Sequence, residues 1–145
     1  MLALGACGTS FSAQTNQQYQ AAEGANVRGD VDAMNTVLVA DESGTAVVSA
    51  GLVNKTDAEQ TLTGVTINAG GQQLKMEPPA SEIVIAPGRI VTLGSTADNA
   101  FKVLSNAKAG AYVTFTFTFS DAKDTVVEAP TVARSATYES VVPAN

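Results

Sequence analysis

Histidine and tryptophan are both absent from the 145 residues, and cysteine occurs once, at Cys7. Without imidazole the chain lacks the commonest general base and the commonest protein ligand for transition metals. A lone cysteine excludes an intramolecular disulfide. Cations are scarce: 8 Lys and Arg against 14 Asp and Glu leave a net charge of −6. That balance argues against nucleic acid as a partner and against an electrostatic hold on anionic lipid headgroups. No apolar run approaches the roughly 18 residues that a spanning helix requires. What the chain does have is 45% hydrophobic residues with only 15% charged, which suits one globular domain with its own core.

Catalytic and chelating patterns are equally thin. A serine nucleophile would have no histidine, and no Ser-x-x-Lys pattern replaces it. Asp30-x-Asp32 and Asp41-Glu42 do not supply six or more oxygens at the spacing calcium needs. Gly70-Gly71 stands in no strand–helix context, so no phosphate cradle is implied. Asn54-Lys55-Thr56 matches a glycosylation sequon, and Asp121 and Asp124 bracket a hairpin; turn chemistry accounts for both. No enzymatic activity and no resident metal are expected.

Hydropathy alternates instead. In "YVTFTFTF", Val113, Phe115, Phe117 and Phe119 alternate with Thr114, Thr116 and Thr118, which predicts a strand with one apolar and one hydroxylated face. "DAKD" then turns into "TVVEAPTV", where Pro130 places the strand at an edge or ends its pairing there. Met34–Ala40 and Thr45–Asn54 predict two strands around the turn "DESG". Gln60–Asn68 predicts a third, with a bulge at Gly64 where the apolar phase slips. Short strands follow in "QLKM", "EIVI" and Arg89–Ser95; residues 97–110 read as a loop with one helical turn. Seven or eight short strands at this spacing predict an all-β, antiparallel sandwich with Greek-key connections, immunoglobulin-like or cupredoxin-like. The last residues, Ser135–Asn145, carry no pattern and are expected to form a loose tail.

The amino terminus reads as an address. Leu4-Gly5-Ala6-Cys7 resembles a bacterial lipobox, in which small residues precede a cysteine that receives a diacylglyceryl group and becomes the new N-terminus. The polar tract after it has a tether's composition, with a root-mean-square reach of about 24 Å over about 19 residues. The six residues before Cys7 lack the basic stretch and apolar core of a full export signal, so its start is expected upstream. The expected organisation is a signal remnant at 1–6, a lipidated cysteine and tether at 7–26, the sandwich at 27–134 and the tail at 135–145.

The stretches "AVVSAGLVNKT", "LTGVTI", "IVIAPGRIVTLG" and "GAYVTFTFTFSDAKDTVVEAPTV" together resemble the periplasmic copper-chaperone domain that serves cytochrome oxidase assembly. They are most similar to its actinobacterial lipoprotein relatives of the LpqE type. The resemblance runs from Ala33 to Val132 and implies a cupredoxin-like or immunoglobulin-like sandwich. It also implies where copper ligands would fall. The His-x-Met pair maps onto Asp98, Asn99 and Ala100, and the second ligand cluster onto "QQLKMEPP", where Met76 alone is soft. The scaffold is kept and the donor set is not.

The expected function is therefore a non-catalytic lipoprotein on the outer, periplasm-facing side of the cell membrane. It would bind a membrane protein complex, and the kinship with oxidase-assembly chaperones implies a respiratory complex of the cytochrome bcc-aa3 type. Expected contact residues are Phe101, in the loop 97–109, and Tyr138, Val141 and Val142 in the tail; the alternative for Phe101 is that its ring caps the open end of the sandwich core. The competing expectations are a metallochaperone using Met76, Met34 and carboxylates, and a small-ligand binder using the loops at one end of the sandwich.

Overall fold

Strands dominate residues 24–144, the part of the chain that the computed structural model describes. In chain order they are β1 (Ala25–Val27), β2 (Val31–Ala40), β3 (Ala46–Asn54), β4 (Gln60–Ala69), β5 (Gln72–Gln73) and β6 (Met76–Glu77). Then come β7 (Ile83–Ile85), β8 (Ile90–Leu93), β9 (Lys102–Val103), β10 (Tyr112–Phe119) and β11 (Thr125–Ala133). A 3-10 turn at Ala97–Asn99 precedes β9, so the segment expected as a loop with a helical turn also holds a short strand.

One sheet is built on β2 and β3. β1 lies along β2, while β8 and β9 both pair with β3, and β6 continues outward from β9. The second sheet centres on β10, between β4 and β11, with β5 and β7 on the far side of β4. The architecture is the expected all-β sandwich. One ladder departs from the antiparallel pattern: Thr131–Ala133 runs parallel to Leu38–Ala40. β11 therefore belongs to both sheets. Its antiparallel ladder to β10 ends at Pro130, and its next residues pair with β2. Proline has no N–H to donate, so the switch falls where a ladder bond was already missing.

Two bulges set which faces look inward. In β2, Asn35 takes φ +51°, and the register to β3 slips between Met34 and Val37. Asparagine tolerates this left-handed backbone better than most residues. Val31 and Ala33 face the core before the slip, and Leu38 and Ala40 after it. In β4 the slip lies at Thr63–Gly64, opposite Thr118, and it lets Leu62 and Ile67 both reach the core despite their odd spacing. The core fills the space between the sheets, with Phe115 and Phe117 fully buried and their rings stacked at 6.0 Å.

The tail is not loose. After the bulge, Val37 and Val39 on β2 and Val47 on β3 turn to the outer side of the first sheet, where they form a second buried cluster with Ala100 and Val141. Tyr138, Val142 and Ala144 pack against it. Arg134 clips the segment down: its Nε donates to Asp41 at 2.6 Å, and its terminal nitrogens donate to the Val141 and Val142 carbonyls at 2.8 and 3.0 Å. The Val142 N–H closes the clip on the Gly94 carbonyl at 2.9 Å. Local sequence gave no pattern because the order comes from tertiary partners. Arg134→Ala is expected to lower stability by about 1–2 kcal/mol. In hydrogen exchange it should raise the rates at Val141 and Val142 while the β10 amides stay protected.

Candidate binding surfaces

Cys7 lies outside the described residues. The other candidate residues are placed, and their surroundings differ from those expected. Phe101 is 6% exposed and belongs to the main core. Its edge lines a cleft of about 200 Å³ with Pro78, Pro79, Ala80, Ser81 and Glu82. It holds the end of the sandwich together and does not project as an aromatic anchor. Val141 is equally buried, and Tyr138 and Val142 are half-buried against the second cluster. These four residues do not form one exposed contact surface, because the core and the clipped tail absorb them.

The segments to which the resemblance assigns copper ligands do meet. The Ser81 N–H donates to the Asp98 carbonyl at 3.3 Å, which ties the loop after β6 to the turn before β9. The side chains there serve the backbone. Asn99 Oδ1 accepts from the Gly94 and Thr96 N–H groups, both at 3.1 Å, and its Nδ2 donates to the Thr92 carbonyl at 2.8 Å. Gly94, at φ +85°, needs that support: a Cβ on it would lie 2.5 Å from the Val48 carbonyl oxygen. Ala100 is buried in the second cluster.

Met76 sits in a groove of about 560 Å³ with Val65, Gln73, Leu74, Lys75 and Leu104. It pairs with Val103, which pairs in turn with Ala46, whereas Met34 pairs with Gly51 on the other side of β3. Three strand spacings and five residues along β3 separate the two thioethers by on the order of 20 Å. They cannot share one ion. Cu(I) requires several converging soft donors, so the described residues do not fit it.

The carboxylates are engaged elsewhere. Asp32 accepts from the Gly29 N–H at 3.0 Å and faces Lys55 at 3.6 Å, and Asp30 accepts from the Lys123 N–H at 3.2 Å. Asp41, beside Glu42 in a second hollow of about 560 Å³, holds Arg134. Among the described residues no three Cys, Asp or Glu side chains gather into a metal-binding group.

Two features escaped the sequence patterns. Asn54, legible there only as a strand end and a sequon, is fully buried and organises one end of the sandwich. Its Nδ2 donates to the Ala58 and Ile85 carbonyls, both at 2.8 Å, and its Oδ1 accepts from the Thr56 N–H and hydroxyl at 2.9 and 2.7 Å. Gln60 continues the network, accepting from the Asp121 and Ala122 N–H groups at 3.1 and 2.9 Å. The second feature is an open apolar patch on the outer face of the first sheet. Ile90 is 60% exposed and Met34 36%. Both flank Gly51, whose missing side chain leaves the floor between them flat. The period-2 phase of "RIVTL" was the available signal, since it sets Ile90 outward with Thr92 while Val91 and Leu93 turn inward.

No family model matches the chain, and no curated protein matches it. Solved structures do. The apo PCuAC domain from PmoF1 aligns at a TM-score of 0.60 and 18% identity, over 76% of this chain and 100% of that one. The copper-bound PCuAC domain from PmoF2 aligns at 0.58 and 18% over 76% of this chain and 99% of its own. The apo PmoF2 domain aligns at 0.54 and 17%, over 77% and 96%. At such identities the likeness establishes the fold: a PCuAC-type β-sandwich.

Proposed function

We propose that this chain is a non-catalytic binding module of the cell envelope, of the LpqE type, anchored by acylation of Cys7. It docks on a membrane protein complex, with a respiratory complex as the leading partner class. The observation that carries this reading is the Met34–Ile90 patch: two exposed apolar side chains beside a glycine floor, on a sheet whose other half the chain covers with its own tail. A tethered domain meets its neighbours at high effective concentration, so a modest patch suffices. The test is affinity capture from detergent-solubilised membranes of the native host. Ile90→Glu should abolish recovery of a partner that the unmodified protein retains, with its melting temperature unchanged. Equal recovery with both proteins would remove the patch from the interface.

A copper chaperone with an atypical site is the second reading, favoured by the PCuAC fold. The scattered thioethers weigh against it. In competition with a chromogenic Cu(I) chelator the protein is expected to retain no stoichiometric copper. Retention that disappears in Met76→Ala would reverse the order of the two readings.

A further inference from the structure

The hairpin of β4 and β5 opens partway along. From its turn the ladder runs through Ala69–Gln72 and Asn68–Gln73 to the Leu74 N–H, which donates to the Ile67 carbonyl at 2.8 Å. There the returning chain leaves β4 for the first sheet. The Lys75 carbonyl accepts from the Leu104 N–H at 3.1 Å, and Met76 and Glu77 pair with β9. From the other direction β7 covers β4 only as far as Leu62. Residues 63–66 of β4 thus have β10 on one side and, among the described residues, no strand on the other. Backbone groups alternate sides along a strand, so Val65 directs its N–H and C=O to that open side, as Ile67 does. By the same rule Met76 directs its own back toward β4, opposite to Lys75. Both open edges line one groove, whose apolar wall is Val65, Leu74, Met76 and Leu104. Val65 and Met76 pack against the main core yet stay half-buried, and Leu104 is 49% exposed. The core is left unsealed where the two sheets part.

We infer that this groove takes an extended, acidic–apolar peptide segment of a partner protein, which pairs with the open edges at Val65 and Met76 and presses an apolar side chain onto the unsealed core. Main-chain pairing names the class of ligand. Open N–H and C=O groups in strand geometry require the same groups in return at the same repeat; a peptide supplies them, and a lipid tail or a sugar does not. The uncovered stretch of β4 is about 13 Å long at about 3.3 Å per residue, which limits the paired segment to about four residues. Charge narrows it further. Lys75 is exposed, is the one charged side chain lining the groove, and forms no ion pair among the described residues. Glu77 stands opposite Lys102 across β6 and β9, so the rim as a whole is cationic in a chain of net charge −6. A segment that alternates apolar residues with an acidic one matches both the wall and the rim.

The groove lies at the edge between the sheets and the Met34–Ile90 patch on an outer face, so occupancy of one does not depend on the other. The probe is a capped hexapeptide of alternating valine and threonine with one central threonine replaced by glutamate. It is titrated into the isotopically labelled full chain while amide shifts and exchange rates are followed. Saturable shifts are expected at residues 64–67, 74–77 and 104, with exchange of the Val65 and Met76 amides slowed about tenfold or more. Leu104→Asp should weaken binding about tenfold. Lys75→Glu should weaken it about two- to fivefold, and a peptide with lysine in place of the glutamate should regain that loss. Both positions are exposed, and an unchanged melting temperature verifies that the variants are folded. Ile90→Glu should bind the peptide as the unmodified protein does. A peptide with proline for its central valine lacks one N–H and should bind about tenfold more weakly. An absence of saturable shifts, or equal binding of the proline peptide, would overturn the assignment. So would the same shifts and protection arising from protein concentration alone, which would make a second copy of the chain the occupant.

Discussion

Replacing Asn54 with alanine is expected to cost about 3–5 kcal/mol in urea unfolding, far more than a polar loop residue usually contributes. The amide is fully buried and makes four hydrogen bonds, two given and two received. Truncation leaves the Ile85 carbonyl without its donor in a region closed to water, and it releases the Thr56 N–H and hydroxyl. The orphaned buried carbonyl costs about 1–3 kcal/mol, and the part-buried Thr56 groups add less because water reaches them and the hydroxyl keeps the Ala58 carbonyl at 2.8 Å. Asn54→Asp is the informative companion. It keeps the oxygen that Thr56 uses, but it turns a carboxylate oxygen toward the Ala58 and Ile85 carbonyls, so it should be no milder than alanine. The effect should also reach the proposed docking patch. The Asn54 backbone bonds Gly88 and Arg89 at 2.7 and 3.1 Å, directly before Ile90. A loss below about 1 kcal/mol would mean that water replaces the network.

Phe101→Ala carries the second large effect, a loss of about 3–5 kcal/mol. The ring is 6% exposed, belongs to the main core and forms part of the wall behind Pro78–Glu82. Its Cα neighbourhood is tied to the first sheet, where the Val48 N–H donates to the Phe101 carbonyl at 3.1 Å. Collapse around the cavity is therefore restricted, and the cost should lie toward the upper end of that range. Thermal unfolding measures it directly. A variant with a near-native melting temperature and a lost partner would restore Phe101 as an exposed anchor.

Local periodicity decided much of the fold in advance. The alternation in Tyr112–Phe119 required a strand whatever surrounded it, because the phenylalanines can share one face only at period 2. The phase slip at Gly64 predicted a bulge from the same rule, and Pro130 marked the end of a ladder because its ring removes the donor. The absence of histidine is a property of the sequence itself and removes imidazole from any site.

Other features depended on partners distant in the chain, and no local pattern encodes those. Asn54 and Ile85 are 31 residues apart, and Arg134 reaches Asp41 across 93, so neither a buried amide nor a clipped tail is visible to a window of ten residues. Phe101 in a loop reads like an anchor until packing turns it inward. The row Gln73–Asn68–Thr114–Glu128 exists only through the register of four strands. Sequence by itself determined that the longest alternating segments extend, Tyr112–Phe119 above all, and which side of that strand is apolar, since both follow from the alternation of side chains along a strand. Tertiary structure alone decided which apolar faces stay uncovered, because that depends on where the tail, the sheet switch at Pro130 and the bulge at Asn35 bring distant residues together.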